Sequence, residues 1–142
     1  MKGTDVSILL VEDDEIDRIS IKRSLKTMRI ANPIVEARDG REALDILRGQ
    51  GGKEKIQRPF LIILDLNMPR MSGIEFLDNL RSDSELRDSV VFVLTTSSDP
   101  KDKATAFQLN VAGYVVKSEA GPSFMQALDM MEHYWKIAEF PE

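Results

Sequence analysis

Five short apolar runs, each followed by a longer stretch of helical character, constrain this chain more than any other feature. The runs are Val6 to Val11, Ile34 to Ala37, Phe60 to Leu64, Val90 to Leu94 and Gly113 to Val116. They are mostly β-branched or aliphatic and show little polar alternation, as expected of strands covered on both faces. A strand–helix alternation repeated five times predicts an α/β fold, a doubly wound parallel sheet with helices on both sides.

Helix starts are marked by polar side chains that can accept hydrogen bonds from unpaired first-turn N–H groups. Asp39 with Glu42, and Ser72 with Glu75, have capping-box spacing. Asp99 before Pro100 predicts an N-cap with proline at the first helical position, and Gly121-Pro122 serves the same purpose before the last helix. Between the second helix and the third strand, residues 49–58 carry three glycines and several charges, and are expected to form an exposed loop insertion. Nucleotide-cradling loops follow a strand; this one precedes one, which disfavours that role.

With 142 residues, a single domain spanning 1–142 is expected. The net charge of -5 disfavours nucleic acid and anionic membranes as partners. Having no cysteine, the chain has neither a disulfide framework nor a thiolate metal site, which suits a reducing compartment, so a cytoplasmic location is expected. No apolar run approaches the ~20 residues of a membrane span.

Ligands of open α/β sheets bind beyond the carboxyl ends of the strands. Here the first strand is followed by Glu12, Asp13, Asp14 and Glu15, the third by Asp65, the fourth by Thr95 and Thr96, and the fifth by Lys117. Asp14 and Glu15 read first as acids at a helix N-terminus. Asp65 does not, because Leu66-Asn67-Met68-Pro69 separates it from a helix expected near Ser72. If Glu12, Asp13 and Asp65 share one cleft, a single lysine cannot neutralise them. A shared proton or a hard divalent cation can, and Mg²⁺ suits a carboxylate site that keeps room for a phosphoryl group. A carboxylate beside Mg²⁺, with a lysine and a hydroxyl nearby, can accept a phosphoryl group as an aspartyl phosphate.

These residues (Glu12-Asp13, Asp65 within LDLNMPRMSG, Thr95, and Tyr114-Val115-Val116-Lys117) resemble the CheY-like receiver domain of two-component response regulators. The resemblance implies a five-stranded sheet of order 2-1-3-4-5. It also implies that Asp65 is the phosphoacceptor and that Mg²⁺ is held by Asp13, Asp65, the Asn67 main-chain carbonyl and, through water, Glu12. Lys117 would pair with phosphoryl oxygens, and Thr95 would bond the phosphoryl group while Tyr114 moves into the space its loop vacates. The implied protein is a phosphoacceptor in a signalling phosphorelay, not an enzyme acting on other substrates, although it catalyses its own phosphorylation and dephosphorylation. The family has proline after the lysine, joined by a cis peptide; here Ser118 follows, and a trans bond with a rearranged loop is expected.

An implied single-domain response regulator has no attached output domain, so its signal would leave through its own surface. The resemblance implies homodimerisation through the fourth helix, fifth strand and fifth helix. The last helix carries Phe124, Ala127, Leu128, Met131 and Trp135 on one stripe, widened by Met130, Tyr134 and Ile137, which reads either as core or, with Phe140 and Pro141, as a docking strip. The loop insertion and aromatic tail look most like response regulators paired with phytochrome histidine kinases. The expected phosphoryl source is thus a sensor histidine kinase, a bacteriophytochrome in the narrower reading, or a phosphotransfer protein. Ile16 and Ile19, interleaved with Arg18, Lys22 and Arg23, form either a kinase-docking face or an ordinary solvated surface. Two alternatives stand beside this reading. One is a dimerising receiver-like module that works without phosphorylation. The other is a haloacid-dehalogenase-type phosphatase, disfavoured because the second acid it needs is replaced by Asn67.

Overall fold

The structure, a computed structural model, describes residues 6–117, 129–130, 133–134 and 140–141. Five strands, β1 (Ser7–Val11), β2 (Ile34–Ala37), β3 (Phe60–Leu64), β4 (Val90–Thr95) and β5 (Gly113–Val116), alternate with helices α1 (Glu15–Thr27), α2 (Gly40–Arg48), α3 (Gly73–Ser82) and α4 (Pro100–Gln108). All pairings are parallel, and the sheet order is β2-β1-β3-β4-β5. The sequence-based strand bounds hold except at two ends. Val6 is buried but precedes β1, and β4 continues through Thr95, which pairs with Val116.

Side chains of period two divide the central strands between two cores. Leu9, Val11, Ile62, Leu64, Val91 and Val93 face α2 and α3, meeting Leu44, Leu47, Phe76 and Leu80. Ile8, Leu10, Leu61, Ile63, Phe92 and Leu94 face the other way, toward Ile21 and Leu25 of α1 and toward Phe140. Both faces of β1 and β3 are therefore covered, which explains why these runs lack polar alternation. Among the described residues no helix is long and apolar enough to cross a membrane.

The caps follow the expected chemistry with one difference. Ser72 and Glu75 close a full capping box on α3, and Asp99 caps α4 with Pro100 at its start. On α2 only half the box forms. The Glu42 N–H donates to Asp39 Oδ1 at 2.9 Å, while the Glu42 carboxylate accepts instead from the Arg38 N–H at 2.8 Å and from Lys53. Residues 49–58 connect α2 to β3 and are largely exposed, with Gly49, Gly51 and Gly52 at positive φ. Ile56 anchors it, buried in the core with its N–H on the Ile46 carbonyl at 3.1 Å. Gly121-Pro122, Ser118 with its peptide bond, and Phe124, Ala127, Leu128, Met131, Trp135 and Ile137 lie outside the described residues.

Asp39 also receives the Arg70 guanidinium, with Nε at 2.8 Å from Oδ2, and so ties the β3–α3 loop to the start of α2. Burial alone would raise this carboxyl, but the Glu42 N–H and Arg70 overcome it and hold Asp39 below the usual carboxylate range. A depressed acid stabilises the fold above its unfolded pKa, and that contribution disappears as pH falls through the lower folded value. Asp39→Ala is therefore expected to cost about 1 to 2 kcal/mol near neutral pH, for a lost cap and a lost ion pair. In urea unfolding, the gap from the unsubstituted chain should begin to close as pH falls below the unfolded carboxyl's value of about 3.9 and close fully once the pH passes the lower folded value. A gap independent of pH would count against the ionic part of the cap.

Candidate functional site

β1 and β3 end in register, Val11 opposite Leu64, and the next residue of each, Glu12 and Asp65, is a buried carboxylate. The Asp65 N–H donates to the Val11 carbonyl at 3.0 Å, so the two chains leave the sheet side by side, where the strand order reverses. Asp13 follows Glu12 at the surface. Carboxylate oxygens of Glu12, Asp13 and Asp65 lie within 4.8 Å of one another. At such a distance two full charges repel by about 3 to 4 kcal/mol with an effective dielectric near 20, before solvent screens the exposed Asp13. Burial pushes the Glu12 carboxyl up to about 8, opposed by the Lys117 hydrogen bond and aided by the charge of Asp65. Three convergent carboxylates make an all-oxygen donor set, and this fits a hard divalent cation such as Mg²⁺.

Lys117 directs its Nζ to Glu12 and to Asp17, 2.7 Å from Asp17 Oδ2, and among the described residues forms no ion pair with Asp65. Burial works against the ammonium charge, but the hydrogen bonds to Asp17 and Glu12 outweigh it, and the lysine is raised above its ordinary value. Thr95, fully buried at the end of β4, donates its hydroxyl to Asp65 Oδ1 at 2.6 Å. The Asn67 N–H reaches the same oxygen at 3.4 Å, and the Asn67 amide donates to Thr96 Oγ1 at 3.2 Å. Thr95 Oγ1 also accepts from the N–H groups of Leu66 and Ser97, each at 3.3 Å. From Ser97 the network continues outward. Its carbonyl accepts from the Tyr114 hydroxyl at 2.8 Å, and its own hydroxyl donates to Asp102 on α4 at 2.6 Å. Asp65 is thus joined through one strand-end hydroxyl to a loop that touches both α4 and β5.

The family profile described as "Response regulator receiver domain" matches residues 8–129. The chain belongs to the response regulator receiver family. Response regulator Rcp1 of Synechocystis sp. is 36% identical over 128 residues, covering 90% of this chain and 87% of Rcp1. The crystal structure of the Mn²⁺-bound form of Rcp1 superposes with a TM-score of 0.86 at 34% identity, covering 96% of this receiver and 99% of that chain. The phosphorylated cyanobacterial phytochrome response regulator RcpA gives 0.87 at 34% identity, covering 97% and 99%. The bacteriophytochrome response regulator RtBRR gives 0.76 at 33% identity, covering 97% and 84%.

Within this receiver, the structure brings Glu12, Asp13, Asp65, Asn67 and Thr95 together and sets Lys117 between Glu12 and Asp17 rather than on Asp65. Asp14 is a helix cap, accepting from the N–H groups of Ile16 and Asp17. Arg18 is corrected. Read as part of an exposed basic face, it is only 9% exposed, and its Nη1 donates to the carbonyls of Glu12 and Asp13 at 2.9 and 3.0 Å. It fixes the backbone that carries two acids of the cluster. Sequence reasoning missed Arg18 and Asp17 in these roles, although their signal was positional: both sit one turn into α1, on a helix whose side chains lean back toward its N-terminus. Gly73 was also missed. A Cβ there would lie 2.5 Å from the Asp65 carbonyl oxygen and 2.6 Å from Leu66 Cα, so only glycine lets α3 start this close to the acidic strand end.

Exposed apolar residues lie on two sides of the site. Ile16 is 74% exposed and Ile19 is exposed beside it, while Lys22 is drawn toward Glu36. Phe107 on α4 is exposed and packs on half-buried Tyr114, with ring centroids 6.4 Å apart. Met130 and Tyr134 are 60% and 41% exposed. Phe140, read as part of an outer strip, is instead 4% exposed, because it fills the α1-side core and meets Tyr134 edge to face. His133 is exposed and bonded to its own helix at the Asp129 carbonyl.

Proposed function

We propose that this receiver accepts a phosphoryl group on Asp65 and passes that change to a partner through the α4–β5 side of the molecule. The observation that carries the reading is the convergence of Glu12, Asp13 and Asp65 within 4.8 Å, with the Thr95 hydroxyl on Asp65 Oδ1. Asp13, Asp65, the Asn67 main-chain carbonyl and, through water, Glu12 would hold Mg²⁺. When bound, the ion supplies charge neutralisation for the phosphoryl oxygens and the acidic cluster.

Among the described residues Asp65 Oδ2 accepts no hydrogen bond, which leaves it available for in-line attack on phosphorus. In that step an Asp65 Oδ–P bond forms, the bond from phosphorus to its donor atom breaks, and the leaving group departs with the electron pair. Thr95 turns its hydroxyl from Oδ1 to the phosphoryl group and Lys117 pairs with its oxygens. Movement of Thr95 pulls on Ser97, and the Tyr114 and Asp102 contacts carry that pull to β5 and α4. The same residues support self-catalysed phosphorylation and dephosphorylation.

The donor is proposed to be a sensor histidine kinase of the phytochrome type, or a phosphotransfer protein, by analogy with Rcp1, RcpA and RtBRR. Ile16 and Ile19 offer a face for it. Phe107, Tyr114, Met130 and Tyr134 offer a face for homodimerisation or for a downstream partner. Acetyl phosphate with Mg²⁺ should add one acid-stable, base-labile phosphoryl group to the intact chain, read by mass. A chain that stays unmodified at saturating donor and metal would overturn the reading.

A further inference from the structure

Lys117 is shared by two carboxylates of different kinds. Glu12 is almost fully buried and belongs to the acidic cluster, whereas Asp17 is about one-third exposed, stands on α1 and lies outside the trio. Asp17 is fixed where it is. Its N–H donates to Asp14 Oδ1 at 3.2 Å, and the next residue, Arg18, clasps the Glu12 and Asp13 carbonyls. It therefore cannot follow Lys117 toward Asp65 without unwinding the first turn of its helix.

We infer that Asp17 is a positioning residue: in the unmodified protein it holds the Lys117 ammonium aside from Asp65, so a phosphoryl group must win the lysine from it. This rests on the reading of Asp65 as the acceptor. Asp17 suits a releasable hold, because its partly exposed carboxylate is resolvated when the lysine leaves, at little cost. Glu12 does not, since its carboxylate would lose its ion pair while still buried. The competition lowers the affinity for a phosphoryl group by the strength of one partly exposed ion pair, about two- to fivefold.

The test is the affinity for beryllofluoride, a tetrahedral phosphoryl mimic, with Mg²⁺ kept saturating for every chain so that the loss of one negative charge near the metal does not enter. Asp17→Asn keeps the size of the side chain and removes its charge, and it should bind beryllofluoride about two- to fivefold more tightly. Asp17→Glu restores a carboxylate within reach of the lysine and should return the affinity toward the unsubstituted value. A purely structural Asp17 would give weaker or equal binding in Asp17→Asn, and either result overturns the inference. The unsubstituted chain and Asp65→Asn separate the two claims. If the unsubstituted chain takes no beryllofluoride, or Asp65→Asn takes it equally well, the acceptor reading itself fails and the inference with it.

Discussion

Asp65→Asn is expected to abolish acyl-phosphate formation, cutting the rate of labelling by about a hundredfold or more, as deletion of a covalent nucleophile does in other systems. The substitution is nearly isosteric, and its amide oxygen can still accept the Thr95 hydroxyl that Asp65 Oδ1 accepts at 2.6 Å. Loss of label therefore reports chemistry rather than misfolding. Neither neighbouring acid should take over. Glu12 is occupied by Lys117, and Asp13 lies at the surface, without the Thr95 and Asn67 contacts that orient Asp65. Intact-mass measurement after incubation with acetyl phosphate and Mg²⁺ reads the result. Equal labelling of the variant would move the acceptor elsewhere in the chain.

Mg²⁺ is expected to stabilise the fold strongly, and Asp13→Asn to remove that effect while making the metal-free protein more stable. An ion bound only to the folded state adds about 2.7 kcal/mol when present at a hundred times its dissociation constant. For a chain of this size that corresponds to roughly 8 °C in Tm, at about 3 °C per kcal/mol. Without the ion, Asp13 contributes chiefly repulsion, because its carboxylate stands within 4.8 Å of those of Glu12 and Asp65 and forms no ion pair among the described residues. The substitution should thus raise the metal-free Tm and flatten its dependence on Mg²⁺. Thermal unfolding with and without the ion distinguishes this from a merely structural role, in which Asp13→Asn would lower Tm and leave the Mg²⁺ shift intact.

The strands and the acids that follow them were legible because burial on both faces leaves an unbroken apolar signal and because strand ends in a parallel sheet gather on one side, whereas the order of the strands was only implied by the resemblance. The resemblance carried the same positions. Arg18 and Asp17 were not legible in their observed roles. Charged residues between Ile16 and Ile19 look like a solvated helix face, and only the docking of α1 against β1 shows that one clasps the Glu12–Asp13 backbone and the other binds a lysine a hundred residues away. Phe140 escaped for a related reason. A lone aromatic near the end of a chain has no periodicity to mark it as core, yet it packs with Ile8, Leu10 and Phe92. Gly73 only follows the cap residue Ser72 in the sequence, and its need to approach the Asp65 carbonyl appears only in three dimensions.

The central claim is that the carboxylates of Glu12, Asp13 and Asp65 gather beyond the ends of β1 and β3 to hold a divalent ion beside the acceptor. Anomalous diffraction from crystals soaked in Mn²⁺ reads this directly. The expected result is one strong peak within bonding distance of Asp13 and Asp65, with Glu12 reached through water. A cluster that remains without a peak at saturating Mn²⁺, or an ion bound only elsewhere on the molecule, would contradict it.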